Sequence, residues 1–250
     1  MSDDGLRLPV PQRNWALFLD FDGTLTELAP TPDAVRLDAD MPLVLSSLME
    51  NLGGALALIS GRPLAELDRF TGLVLPGAGV HGLELREHPD ATPHPPADAA
   101  GIVLIERALA RMVREDPRLV LEQKPGAVAL HYRRAPEREA ECRSAMAEAV
   151  AATTGLHVIE GKMVLEAKPG HVNKGYAIEN LMKVPPFAGR LPVFAGDDRT
   201  DEDGFAVVRA QNGVTIKIGT GPSLADYRVA SVAAFLSWLK EVASVLSDTG

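Results

Sequence analysis

The sequence predicts an α/β protein: a Rossmann-like, doubly wound parallel sheet interrupted by an inserted α+β unit. Three observations carry that reading. Short apolar runs alternate with helix-spaced segments over the first 85 residues, the rhythm breaks at the proline-rich stretch Arg86–Ala100, and the alternation resumes from Lys174. Strands that alternate with helices pair in parallel and are covered on both faces, whereas the interval between reads as helix, hairpin, helix, hairpin. The expected division is a core formed by residues 1–85 and 169–250, with residues 86–168 as the insert.

In order, Trp15-Ala-Leu-Phe-Leu19 is an apolar strand ending at Asp20, and Leu43, Leu45, Leu48 and Leu52 have helical spacing. Ala55–Ile59 is the second strand; Ser60-Gly-Arg and a helix opened by Pro63 follow, proline being suited to the first helical turn. Leu73-Val-Leu75 reads as a short third strand before the glycine-rich Pro76–Gly79. Pro89, Pro93, Pro95 and Pro96 then mark an exposed linker. In the insert, Ile102–Arg114 is a helix, and Leu119–Gln123 with Ala127–Arg133 form a hairpin about Lys124-Pro-Gly126. Pro136–Thr154 is the second helix, and Leu156–Glu160 with Met163–Ala167 the second hairpin. Beyond Lys174 come a helix through Met182, the strand Pro192–Ala195, a helix through Ala210, the strand Val214–Ile218 and an amphipathic helix over Val232–Leu246.

Composition narrows the function classes. A formal charge of −9 with no Lys/Arg run argues against nucleic acid and anionic membrane surfaces as partners. No apolar run approaches the roughly 20 residues of a membrane span, and Met1–Gly5 lacks the basic and apolar regions of a signal peptide, so a cytoplasmic location and no membrane partner are expected. A monomer is the working expectation. The single cysteine, Cys142, sits in a helix-like stretch with nothing nearby to activate it and reads as structural.

The chemistry gathers at strand ends. Asp20-Phe-Asp-Gly-Thr-Leu25 follows the first strand directly, which places Asp20 and Asp22 where open α/β sheets bind ligands. A calcium-loop reading fails, because Leu25 and Thr31 occupy the positions of the required glycine and glutamate. Gly196-Asp-Asp-Arg-Thr-Asp-Glu202 follows a second apolar strand in the same way. Acids converging on one sheet edge repel one another, and a hard divalent cation with oxygen ligands relieves that; magnesium is favoured because it shares its shell with waters and substrate phosphate. The bland alternative, first-turn acids favouring a helix dipole, suits Asp203 better than Asp197. Ser60, between a strand and a helix start, and Lys174, opening the helix after the insert, can hold an anion there.

Asp20–Leu25, Ile59-Ser-Gly-Arg62, Lys174-Gly175 and Gly196–Glu202, in this order, resemble the four signature motifs of the haloacid dehalogenase (HAD) superfamily. Gly79-Val-His-Gly-Leu-Glu84, Ala129-Leu-His-Tyr-Arg133, Glu166-Ala-Lys168 and Lys217-Ile-Gly219 resemble its trehalose-6-phosphate phosphatase family, over nearly the whole stretch from Trp15 to Trp238. The resemblance implies a HAD-type core with an inserted cap, a small sugar phosphate as substrate and Mg2+ as cofactor. By the same resemblance Asp20 is the nucleophile that forms an aspartyl-phosphate, and Asp22 the general acid and base. The metal set is Asp20, Asp22 through its backbone carbonyl, and Asp197, with Asp198 and Asp201 as ligands or their supports. Thr24, Ser60, Gly61 and Lys174 hold the phosphate. On the insert, strand parity puts Val164, Glu166 and Lys168 on one face and His131 with Arg133 on one face; these four polar residues and Lys124 are the candidates for the sugar. The alternatives left open are a phosphatase or phosphomutase for another sugar phosphate, and a non-catalytic metal-binding module.

Overall fold

A computed structural model describes residues 8–29, 34–95, 101–161 and 163–248. Met1–Gly5, Thr31 and the 96–100 part of the expected linker lie outside them. In chain order the elements are β1 (Trp15–Leu19), α1 (Met41–Asn51), β2 (Leu56–Ile59), α2 (Leu64–Thr71), β3 (Gly77–Gly79), β4 (Glu84–Arg86), α3 (Ile102–Glu115), β5 (Val120–Lys124) and β6 (Ala127–His131). There follow α4 (Glu139–Ala151), β7 (Leu156–Gly161), β8 (Val164–Pro169), α5 (Lys174–Leu181), β9 (Leu191–Gly196), α6 (Asp201–Ala210), β10 (Val214–Ile218), β11 (Tyr227–Val229) and α7 (Val232–Asp248). The protein is a mixed α/β molecule of two compact units, residues 1–93 with 173–250 and residues 94–172.

The first unit is built on a seven-stranded sheet ordered β11-β10-β9-β1-β2-β3-β4, parallel except for the antiparallel edge strand β4. β1 is buried throughout because both its faces are covered, which is why it reads as a continuous apolar run. Trp15, Leu17 and Leu19 pack in one core cluster with residues of α1 and α7, while Ala16 and Phe18 pack in another with residues of α5 and α6. From β1 the chain winds outward through β2 and β3; after the insert it starts again at β9, on the other side of β1, and winds the opposite way. The direction of winding therefore reverses between β1 and β9. In open parallel sheets that reversal leaves a crevice at the carboxyl ends of the two strands.

The second unit has an antiparallel sheet ordered β5-β6-β8-β7. Val128, Leu130, Leu165 and Ala167 of its inner strands share an apolar cluster with Ile105 and Leu109 of α3 and Cys142 and Met146 of α4. One sheet face is thus spent on packing, and Cys142 is buried in that core. No helix among the described residues is long and apolar enough to cross a membrane.

Three details differ from expectation. The third strand lies at Gly77–Gly79 and not at Leu73–Leu75. Strand propensity disfavours glycine, but a Cβ at Gly77 would sit 2.5 Å from the Leu58 carbonyl oxygen, so close approach to β2 requires it. β4 and β11 are edge strands of three residues each, too short for alternation to reveal them. The unit boundaries fall after Pro93 and Val172, against the expected 85/86 and 168/169. Arg86 belongs to β4, is buried, and pairs with Asp68 of α2 at 2.5 and 2.8 Å, which ties the start of the expected linker to the core.

Candidate active site

Asp20 stands one residue beyond β1 and is almost wholly buried. Its amide donates to Ala195 of β9 at 3.0 Å, which fixes its backbone at the crevice. The chain then turns sharply: the amides of Leu25 and Thr26 both donate to the Phe21 carbonyl, and Gly23 donates to Thr26 at 2.8 Å. Gly23 has φ of 81°, and a Cβ there would lie 2.2 Å from Asp197 Oδ2. Glycine serves two needs at once here, a left-handed turn and room for a carboxylate from the other motif.

Lys174, the first residue of α5, is buried, and its Nζ donates to Asp20 Oδ1 and to Asp201 Oδ1, each at 2.7 Å. Asn173 caps α5 by accepting from the Tyr176 amide at 2.9 Å, which anchors the residue before the lysine. Thr24 Oγ1 donates to the other Asp20 oxygen at 3.1 Å. Asp201 turns its second oxygen to the backbone: Oδ2 accepts from the amides of Asp197 and Asp198, both at 2.9 Å. Asp198 Oδ1 accepts from the Thr200 amide and hydroxyl at 2.7 Å, closing the turn into α6. Lys217, at the end of β10, donates to the Asp197 carbonyl oxygen.

Lys174 is thus bonded to two carboxylates of the site, and the buried Lys217 lies beside the third, Asp197. Burial pushes Asp20 up to about 6, against the pull of Lys174. Burial, with the neighbouring charges of Asp201 and Asp198, pushes Asp197 up to about 6, and burial with Asp20 close by pushes Asp201 to about 7. Burial works against the Lys174 ammonium, but Asp20 and Asp201 outweigh it and raise its pKa. Burial also works against the Asp198 carboxylate, yet the bonds from Thr200 and the pull of Lys174 leave it below its ordinary value. The upward shifts of Asp20, Asp197 and Asp201 record first the cost of burying a carboxylate and second the repulsion among neighbouring acids.

Asp20, Asp197 and Asp201 each present an oxygen within 4.8 Å of the others, an all-oxygen donor set that suits a hard divalent cation. The raised pKa values of Asp20, Asp197 and Asp201 fit the same demand. Both Asp20 oxygens accept from Lys174 and Thr24, and both Asp201 oxygens from Lys174 and the 197–198 amides, so a cation here would share these carboxylates with donors of the protein. A cavity of about 300 Å³ opens beside them, lined in part by Gly23, Glu27, Asp197, Gly219 and Ser231.

The carboxylate of Asp22 is not part of that cluster. It lies in the fork of Arg62, with Nε at 2.6 Å from one oxygen and Nη2 at 2.8 Å from the other. Arg62 is held in turn by Glu66 at 3.2 Å and by the rings of Phe70 and Phe21, 5.0 and 5.8 Å from its guanidinium carbon. Arg62 is a residue that sequence reasoning passed over: it stood in the Ile59–Arg62 motif, but nothing in the chain said that its fork would take Asp22. Ser60 is buried, and its Oγ accepts from the Arg62 amide at 3.2 Å; Gly61 lies between them.

The remaining candidates lie in the second unit. Along β8 exposure alternates, with Val164, Glu166 and Lys168 half-buried and Leu165 and Ala167 buried. Register sets Glu166 opposite Ala129, and Ala129 opposite Glu122, so the three share the face that the helices leave open. On it Lys124 Nζ donates to Glu166 at 2.7 Å, and His131 Nε2 lies 2.8 Å from Glu122. A hollow of about 400 Å³ there is lined by His131 and Arg133 together with Arg118, Val120, Glu122 and Arg134. Glu122 was missed, although the alternation Val120, Glu122, Lys124 carried the signal.

With this geometry in place, comparison with known proteins is informative. A family model described as trehalose-phosphatase matches residues 18–233. The chain is 39% identical over 251 residues to a trehalose-6-phosphate phosphatase of Escherichia coli, covering 99% of this chain and 94% of that protein. It is 43% identical over 208 residues to a probable trehalose-phosphate phosphatase of Sinorhizobium fredii, covering 82% of this chain and 78% of that one. Among solved structures, the trehalose-6-phosphate phosphatase of Aspergillus fumigatus superposes with a TM-score of 0.63 at 26% identity, over 95% of this chain and 94% of that one.

Proposed function

The chain belongs to the trehalose-phosphatase family, and from that premise we propose that it hydrolyses trehalose 6-phosphate to trehalose and inorganic phosphate through an aspartyl-phosphate on Asp20. The two curated relatives described above are phosphatases by name, and the core of this chain has the HAD fold. The observation that carries the mechanism is a buried carboxylate, Asp20, at the carboxyl end of β1, held by a buried lysine from α5.

In the first half-reaction an Asp20 oxygen bonds to phosphorus as the bond from phosphorus to the sugar oxygen breaks, and Asp22 gives that oxygen a proton. In the second, water attacks phosphorus, Asp22 takes the proton from the water, and the bond from phosphorus to Asp20 breaks. Lys174 keeps one Asp20 oxygen oriented and adds positive charge beside the phosphoryl oxygens; Thr24, Ser60 and Gly61 face the same group. Asp201 holds the 197–198 backbone and the lysine in register. Arg62 fixes the direction from which Asp22 approaches, and one Asp22 oxygen must leave the fork for the proton to move. Asp20 and Asp197 would hold a divalent ion, magnesium in this proposal, which supplies charge neutralisation so that one anion can approach another. The open polar face of the insert, with Lys124, Glu166, His131, Arg133 and Lys168, is assigned to the sugar.

The direct test is phosphate release from trehalose 6-phosphate, with and without magnesium, beside a panel of other sugar phosphates. A kcat/KM for trehalose 6-phosphate well above the rest is expected. A flat profile, or preference for another sugar, would move the substrate assignment while leaving the chemistry.

A further inference from the structure

The segment Gly79-Val-His-Gly-Leu-Glu84 has no part in the mechanism above, yet it contains the most constrained backbone near the site. Val80 and His81 are consecutive non-glycine residues with φ of 50° and 55°, and Gly82 follows at 102°. A β-branched residue in this region is a genuine outlier, and such conformations persist where the surroundings impose them. His81 is exposed, so the turn does not serve to bury its side chain in the core.

What the turn holds is the Ser60–Arg62 loop. The His81 amide donates to the Ser60 carbonyl at 2.9 Å and the Val80 amide to the Arg62 carbonyl at 3.1 Å, while Glu84 accepts from the Leu64 amide at 2.7 Å. Gly79 permits the approach, since a Cβ there would lie 2.8 Å from both the Arg62 carbonyl oxygen and the Leu64 nitrogen. The Cε1–Nε2 edge of the His81 imidazole lies so close to Gly61 that a Cβ at that position would meet both atoms at 2.7 Å. Every residue of the loop is thereby gripped from one turn: Ser60 and Arg62 through their carbonyls, Gly61 through its face.

We propose that His81 is a positioning residue for phosphoryl transfer, which through the strained turn fixes Ser60 and Gly61 against the phosphoryl oxygens and keeps Arg62 where it orients Asp22. This rests on the phosphatase reading of Asp20. Histidine suits the position because it tolerates a left-handed backbone better than most residues and has a ring whose edge reaches Gly61.

The test uses the full chain and four variants: His81→Asn, His81→Gly, Gly61→Ala, and Gly61→Ala combined with His81→Gly. Turnover of p-nitrophenyl phosphate and the Kd for inorganic phosphate by calorimetry are read beside the Tm. His81→Asn and His81→Gly should lower kcat by about tenfold or more and weaken phosphate binding several-fold, with little change in Tm, since small misplacements at a reacting centre are costly. Gly61→Ala should be more severe, about 100-fold in kcat, and the double variant should regain about tenfold over it because the ring that meets the new Cβ is gone. Wild-type kcat and phosphate affinity in His81→Asn, or no recovery in the double variant, would overturn the proposal. Phosphate affinity needs no turnover, so it is read even if the wild type releases no phosphate, an outcome that would instead overturn the phosphatase reading itself.

Discussion

Two lysines show how differently the two units use charge. Lys174 in the core is 3% exposed, bonded to carboxylates that are 5% and 0% exposed, whereas Lys124 in the insert is 33% exposed and its partner Glu166 24%. Both pairs are 2.7 Å long. Length says nothing of their energetics. In the core the dielectric is low, each partner's charge is felt strongly, and pKa values move; on the insert, water screens the pair and leaves it free to exchange partners. A buried cluster suits chemistry that must occur at one point. A half-exposed pair suits recognition of hydroxyl groups, where hydrogen bonds must open to admit a ligand.

The largest effect should come from Asp20→Asn, which preserves shape but removes the nucleophile. Turnover should fall by roughly four orders of magnitude or more, as for other residues that act as the covalent group, while phosphate still binds. A stopped assay with each substrate checks it; residual activity near wild type would remove Asp20 from the role. The two lysines can then be set against each other. Lys174→Met leaves Asp20 and Asp201 buried without their counter-charge and should cost about 3 to 5 kcal/mol of stability at neutral pH together with activity. Lys124→Met should stay within about 1 kcal/mol. Denaturant titrations that gave equal losses would erase the distinction between the units.

The pH dependence of the core follows from its carboxylates. Asp20 and Asp197 lie near 6 and Asp201 near 7, all above the ordinary 3.8, so the folded protein binds more protons than the unfolded chain across that interval. Stability contributed by these groups is therefore present at low pH and is lost as pH rises from about 4 to about 7. A divalent ion competes with the same protons. Added magnesium should raise Tm more at pH 7.5 than at pH 5.5, and excess chelator should stop turnover in a manner that magnesium reverses. A Tm gain independent of pH would separate the ion from Asp20 and Asp197.

Much of the core was legible because apolar runs ending in an acid are local signals: β1 with Asp20 and β9 with the Asp197 cluster needed only the strand pattern and its end. Lys174 was legible as the point where the βα rhythm resumes. What escaped notice depends on contacts distant in sequence. Asp22 and Arg62 are 40 positions apart, and no periodicity foretells that one fork will take both oxygens. Asp201 was expected as a metal ligand or its support, but its pattern as a first-turn acid did not foretell that its oxygens would take Lys174 and two backbone amides. β3 escaped because close approach to β2 demands glycines, the residues that strand patterns exclude.

The smallest expected effect tests the insert. Glu166 anchors Lys124 on the open sheet face, so Glu166→Ala removes one acceptor and loosens the lysine beside it. If these groups hold sugar hydroxyls, each lost charged hydrogen bond should lower kcat/KM for trehalose 6-phosphate by roughly tenfold, about 1.4 kcal/mol. Lys168→Ala, on the same strand face, should act alike. p-Nitrophenyl phosphate offers no sugar and its leaving group departs without a proton, so its turnover should change by less than about twofold. The contrast between the two substrates carries the result, because remote binding energy is used only when there is something remote to bind. Equal losses on both would mean that the substitution disturbs folding, and no loss on either would return Glu166 and Lys168 to an ordinary solvated sheet face, leaving all selectivity to the core.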